Sequence, residues 1–250
     1  MIGMHIEYHK HWSTSLWKDM EMKVYGHAGK PILVFPSSGG TFYEYEDFKM
    51  VEACQSFINA GSVQFFTVES VDEQTWLHTN KNAEQRAHRH REYENYILAE
   101  LVPYIRSRSP FHQLMTTGCS LGAFHALNFL CKYPGVFDAT IALSGVYDLR
   151  FSMGNFMDDN IYYNSPVHYL ANLTDPWFLD QLRSSTMIIC SGQGAWEEET
   201  LQDTYNLMKI FKAKSIPAWF DIWGHDVAHD WSWWRIQMPY FLDKLGYHHF

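Results

Sequence analysis

Cysteine is scarce in this 250-residue chain: only Cys54, Cys119, Cys131 and Cys190, far apart, without a C-x-x-C pair, and set in mainly apolar segments. That pattern argues against a disulfide framework or a zinc knuckle and predicts buried, reduced thiols. No window of about 18 apolar residues occurs, so no transmembrane helix is expected. The opening MIGMHIEYHKHW has no uninterrupted apolar stretch of signal-peptide length, which makes a cytoplasmic location the expectation. Basic residues are also in deficit, 19 Lys and Arg against 28 Asp and Glu, for a net charge of −9. Such a field repels phosphate backbones and anionic lipid surfaces, so neither nucleic acid nor membrane is an expected partner. No Ser/Gly-rich linker, low-complexity tract or repeat interrupts the chain, and residues 1–250 read as one domain.

Aromatic residues, by contrast, make up 17% of the chain. Short apolar runs rich in β-branched and aromatic residues occur at 31–36, 63–68, 113–117, 138–143, 186–190 and 216–223. Between them lie segments of helical length at 84–106, 121–132, 197–213 and 231–245. Strands alternating with helices predict an α/β fold, a mostly parallel sheet flanked by helices. Residues 147–180 break the alternation with turn formers and eight aromatics, the composition of a lid-like insertion near a site. The charged stretch 84–95 reads as a solvated helix face.

Thr117-Gly118-Cys119-Ser120-Leu121-Gly122-Ala123 is a G-x-S-x-G sequence directly after an apolar strand and directly before a helix. In that context it predicts a nucleophile elbow: a sharp turn that projects Ser120 Oγ from the carboxyl end of the sheet. The flanking glycines relieve crowding, and the Leu121 N–H, in the first helical turn, is placed to stabilise an oxyanion.

A serine hydroxyl is a weak nucleophile, so a base must take its proton and an acid must orient that base. The last strand runs into Gly224-His225-Asp226-Val227-Ala228-His229-Asp230-Trp231. His229 is the expected base because it opens the segment entering the final helix, and His225 is expected to line the pocket. After the strand ending at Cys190 the chain reads Ser191-Gly192-Gln193-Gly194-Ala195-Trp196-Glu197-Glu198-Glu199. Glu197 is the expected acid; Glu198 and Glu199 suit the first turn of the next helix. Asp203 and Asp148 remain alternatives. A second oxyanion donor is expected from Pro36-Ser37-Ser38-Gly39-Gly40, with the Ser38 amide as donor and Gly39 against the substrate. Trp231 and the pair Tyr162 and Tyr163 are expected as aromatic walls of the pocket.

With these residues in place the chain resembles the esterase D-like, feruloyl esterase-like and mycolyltransferase-related branch of the α/β-hydrolases. The resemblance is carried by TGCSLGAFHALNFLCKYP around Ser120, by PSSGG, and by HDWSWWRIQMPYFL, which looks like that branch's His-x-Trp-x-x-Trp segment. It covers about residue 20 to the end. It implies an α/β-hydrolase fold, an oxyanion hole at Leu121 and Ser38, His229 as base, and serine esterase chemistry on carboxylic esters. Thioesters and acyl transfer use the same groups, no metal or cofactor is implied, and the expected partner is a small-molecule ester. A homo-oligomer is compatible with the sequence. The chain departs from the branch at the acid, where the loop after Gly192 is longer and glutamate-only.

Two other readings compete. His225 and His229 are spaced as in a metallohydrolase H-E-x-x-H helix, with Asp in place of Glu. A hydrolase fold can also serve as a non-catalytic binding or interaction module. The Asn172-Leu173-Thr174 sequon is read as chance, and His5, His9 and His11 as part of a solvated tail or edge strand.

Overall fold

A computed structural model describes residues 3–248. Eight strands form one sheet: β1 (Ile6–Ser13), β2 (Lys18–Tyr25), β3 (Lys30–Phe35), β4 (Val63–Val68), β5 (Leu114–Cys119), β6 (Phe137–Leu143), β7 (Thr186–Ser191) and β8 (Trp219–Ile222). Their order is β1-β2-β4-β3-β5-β6-β7-β8. β1 and β2 pair antiparallel, β2 pairs antiparallel with β4, and every pairing from β4 to β8 is parallel. This is the α/β-hydrolase fold.

The parallel strands are the apolar runs seen in the sequence. β3, β4 and β5 are buried at every residue, as expected where both sheet faces are covered. Alternation divides them between the faces: Leu33 and Phe35 pack with Phe66, Leu127 and Phe129 on one side, Ile32 and Val34 with Phe65, Trp234 and Phe241 on the other. The first layer comprises helix Leu121–Lys132 and the stretch from Ala83 to Ser107; the second is dominated by Met50–Asn59 and Trp231–Lys244. The stretch expected as one helix over 84–106 is broken by a π turn at Tyr96–Leu101. Asn82 caps its start, its side chain accepting from the Gln85 amide at 2.9 Å.

The β1–β2 hairpin is an addition to the strands expected from apolar runs. β1 is a half-exposed edge strand, and it carries His9 and His11. Its alternation of His, Lys and Glu with aromatics hides it from a search for continuous hydrophobicity. All four cysteines are buried and free. Among the described residues no helix is long and apolar enough to cross a membrane.

Because β3 and β5 through β8 are parallel, the loops after them emerge at one edge of the sheet. There the chain places PSSGG, Ser120, the loop from Ser144, the loop from Gly192 to Glu197, and the loop from Trp223 to Asp230.

Candidate active site

Ser120 sits between β5 and helix Leu121–Lys132 at φ 56°, ψ −122°, a conformation that L-residues adopt at a cost of about 1–3 kcal/mol. Sterics hold it there. A Cβ on Gly118 would lie 2.3 Å from the Gly122 carbonyl carbon, and one on Gly122 would lie 2.4 Å from Phe35 O and 2.7 Å from Pro36 O. The two glycines therefore let the helix start press against both β5 and the end of β3. That contact brings the loop after Phe35 beside the Leu121 amide, which has no intrahelical acceptor.

The loop after β3 is fixed by a buried carboxylate. Glu44 accepts from the Ser37 amide at 2.8 Å and from Ser37 Oγ at 2.5 Å. Burial pushes the Glu44 carboxyl above its ordinary value, against the pull of the two Ser37 bonds. The Gly40 amide closes a turn onto Ser37 O at 2.9 Å, and Gly39 occupies the left-handed region at φ 71°. Ser38 and Gly39 stand exposed at the tip, with the Ser38 amide donating to no group among the described residues. Ser38, Gly39 and Gly40 line one side of a cleft of about 350 Å³, and Phe48 and Trp231 form another. These two rings stack at 4.8 Å with 7° between planes.

At the same edge, Glu197 Oε2 lies 3.5 Å from His229 Nδ1. Glu197 is 1% exposed and the His229 side chain 18%. Glu197 Oε1 accepts from Ser144 Oγ at 2.6 Å, and Oε2 accepts from Ser191 Oγ at 3.2 Å and from Thr200 Oγ1. Burial alone would raise this carboxyl, but His229 and the Ser144 and Thr200 hydroxyls outweigh it and hold Glu197 below the ordinary glutamate value. The imidazole is held from its backbone too, the His229 amide donating to Ala195 O at 2.9 Å. Trp234 meets its ring edge-on at 4.9 Å and donates from Nε1 to Ser144 Oγ at 3.0 Å. One turn further, Met238 Sδ accepts from Thr117 Oγ1 on β5 at 3.6 Å. The last helix thus packs against β5 and β6.

A family model described as "Putative esterase" matches residues 13–245. The chain belongs to this esterase family. It is a carboxylic ester hydrolase. No curated protein matches its sequence. Solved structures with the same fold include a ferulic acid esterase, at 15% identity and TM-score 0.77, covering 97% of this chain and 98% of that one. An S-formylglutathione hydrolase from Agrobacterium tumefaciens gives 13% identity and TM-score 0.75, covering 98% and 95%. One from Staphylococcus aureus gives 15% and 0.70, with 97% of each chain covered.

Several expectations change in the folded esterase. Tyr162 and Tyr163 do not wall the cleft beside Ser38. They line a separate cavity of about 400 Å³ with Cys131, Lys132 and Tyr133. Those residues end the helix that Ser120 begins, eleven residues away, or about 16 Å at 1.5 Å per residue. The insertion folds as four short helices, and only its first part reaches the start of helix Leu121–Lys132: Leu149, Met153 and Ile161 pack on Leu121 and Phe124. Asp203 accepts from the Tyr147 and Asp148 amides at 2.6 and 3.0 Å, and Asp148 pairs with Arg150, so both secure the insertion's start. His225 is exposed in a turn, and residues 225–229 form no helix, so the two imidazoles lack the shared face that the H-E-x-x-H geometry requires.

Ser144 and Thr200 were not singled out from the sequence, whereas Trp234 is the last Trp of its His-x-Trp-x-x-Trp segment. Ser144 had a signal: Leu143-Ser144-Gly145 repeats the strand-end Ser-Gly of Ser191-Gly192, and both serines donate to Glu197.

Proposed function

We propose that the esterase works through Ser120 as nucleophile, His229 as general base and then acid, and Glu197 as the group that orients His229. The observation that carries this reading is the buried Glu197 carboxylate, kept ionised by three hydroxyl donors, at 3.5 Å from His229 Nδ1. A carboxylate there fixes the imidazole with its proton on Nδ1, leaving Nε2 free to accept the proton of Ser120. Ser120 Oγ then attacks the ester carbonyl, and the developing oxyanion takes hydrogen bonds from the Leu121 and Ser38 amides. His229 passes its proton to the leaving alkoxide, and a water deprotonated by the same imidazole releases the acid and restores Ser120.

The substrates proposed are esters of short or aromatic acyl groups, supported by the Phe48–Trp231 wall beside the Ser38 loop. Thioesters are a second class, since attack at the carbonyl and the oxyanion are common to both. The ferulic acid esterase and S-formylglutathione hydrolase folds fit either class. Labelling by a fluorophosphonate probe tests the mechanism. Rapid labelling of the folded protein, lost in Ser120→Ala, is expected. Absence of labelling, or ester hydrolysis that survives Ser120→Ala and is abolished by a chelator, refutes it. A screen in which long aliphatic acyl groups are strongly preferred refutes the substrate class.

A further inference from the structure

We infer, on the esterase reading above, that Trp196 is a specificity-determining residue whose indole stacks against a ring in the leaving-group half of the substrate. Trp196 combines two unfavourable features. Its backbone is left-handed at φ 67°, a region costing a bulky L-residue about 1–2 kcal/mol, and its side chain is 84% exposed. Its indole has neither a ring contact nor a hydrogen bond among the described residues, so no packing offsets either one.

The segment around it is nonetheless held firmly. The Gly194 amide donates to Val227 O at 2.8 Å, the Gln193 amide to Gly224 O at 3.2 Å, and the His229 amide to Ala195 O at 2.9 Å. A Cβ on Gly192 would meet Val227 O at 2.1 Å. This loop is clasped residue by residue to the one bearing His229. The next residue, Glu197, turns inward to His229, so Trp196 turns outward. Covalent geometry from the Ala195 carbonyl places Trp196 Cα within about 6 Å of the His229 backbone nitrogen. An indole spans a comparable distance, so from this position it can reach the rim of the opening beside His229.

That imidazole must protonate the leaving oxygen, so the group attached to that oxygen extends past this rim. Glu198 and Glu199, the second and third residues after Trp196, line a cleft of about 480 Å³ with Val146, Arg150 and Phe151, and Phe151 is itself 43% exposed. A solvent-facing ring on a backbone clasped to the loop of His229, two residues from an open cleft, is an exposed stacking surface. The ligand class is a planar ring on the alcohol side of the ester.

Two acetate esters that share an acyl group but differ in alcohol, 1-naphthyl acetate and ethyl acetate, isolate this contact. Trp196→Gly should lower the ratio of kcat/KM for the naphthyl ester to that for the ethyl ester about fivefold, a typical stacking contribution. The loss should lie in KM, and Trp196→Phe should recover most of it. Thermal stability separates recognition from folding: glycine accepts φ 67° without strain, so Trp196→Gly should melt no lower than the parent. Calorimetric titration with 1-naphthol reads the same surface without turnover and should show about fivefold weaker binding to Trp196→Gly. A ratio within twofold of the parent's together with unchanged naphthol affinity overturns the proposal. Failure of the parent to hydrolyse either ester counts against the catalytic reading instead, and the naphthol titration still decides Trp196.

Discussion

Replacing Glu197 by Gln tests which carboxylate orients the histidine. The two side chains are nearly isosteric, but Gln presents one oxygen and one NH2 where Glu197 presents two acceptors. Ser144 Oγ at 2.6 Å, Ser191 Oγ at 3.2 Å and Thr200 Oγ1 all donate to those acceptors. An amide nitrogen on either side faces a donor. Hydrogen bonds to a charged acceptor are worth about 1.5–3 kcal/mol against about 1 for neutral pairs. Weakening these, less the relief of burying no charge, predicts a loss of about 1–3 kcal/mol. For a chain of this size that lowers Tm by about 2–4 °C per kcal/mol. The catalytic effect is larger, because the amide no longer selects the Nδ1–H tautomer of His229 at 3.5 Å; kcat should fall by about 10³–10⁴. The pH dependence follows from the lowered Glu197 carboxyl. Its contribution to stability is full above the ordinary value of 4.5 and is lost as pH falls through the lower folded-state value. Glu197→Gln should therefore unfold with less dependence on pH below 4.5 than the parent. Steady-state hydrolysis of an acetate ester and thermal melts from pH 3 to 7 measure both effects. If Glu197→Gln keeps kcat within tenfold while Asp203→Asn abolishes it, the acid is Asp203.

Gly122→Ala should cost about 2–3 kcal/mol, because its methyl would sit 2.4 Å from Phe35 O and strand and helix must separate; an unchanged melting curve refutes that contact. Ser38→Ala should leave kcat/KM within about threefold and Ser38→Pro, which removes the amide donor, should lower kcat about 10²-fold; equal effects rule out backbone donation. Tyr162→Ala should leave kcat/KM for aryl and alkyl esters within about twofold, since its cavity lies at the far end of helix Leu121–Lys132 from Ser120; a tenfold loss in kinetic assays would return Tyr162 to the cleft.

Local patterns made the parallel half of the sheet legible. Strands buried on both faces must be continuously apolar, and five of them announced themselves in that way. The elbow was legible because sterics at Gly118 and Gly122 impose glycine at fixed spacing around a strained serine. Trp231-Ser232-Trp233-Trp234 marked the start of the final helix and with it His229. The β1–β2 hairpin was harder to see because an edge strand half open to water alternates polar and apolar residues. Tyr162 and Tyr163 were misplaced because ring composition says nothing of direction: the insertion packs along the whole length of helix Leu121–Lys132, and these two rings lie at the end away from Ser120, while Phe151 lies in the cleft beside Glu198 and Glu199.

By itself, the sequence determined the fold class, the elbow and the loops from which a base, an acid and an oxyanion donor could come, because each follows from local periodicity or local sterics. Only the tertiary structure separates Glu197, Asp203 and Asp148 by their surroundings, Glu197 alone of the three lying beside His229 while Asp203 and Asp148 secure the start of the insertion. A carboxylate's task depends on which groups reach it, and those around Glu197 come from the loop after β6 (Ser144), the end of β7 (Ser191), the helix that follows Glu197 (Thr200) and the loop bearing His229. The same holds for Trp196: its exposure and its place beside His229 arise only when the loops after β7 and β8 are clasped together.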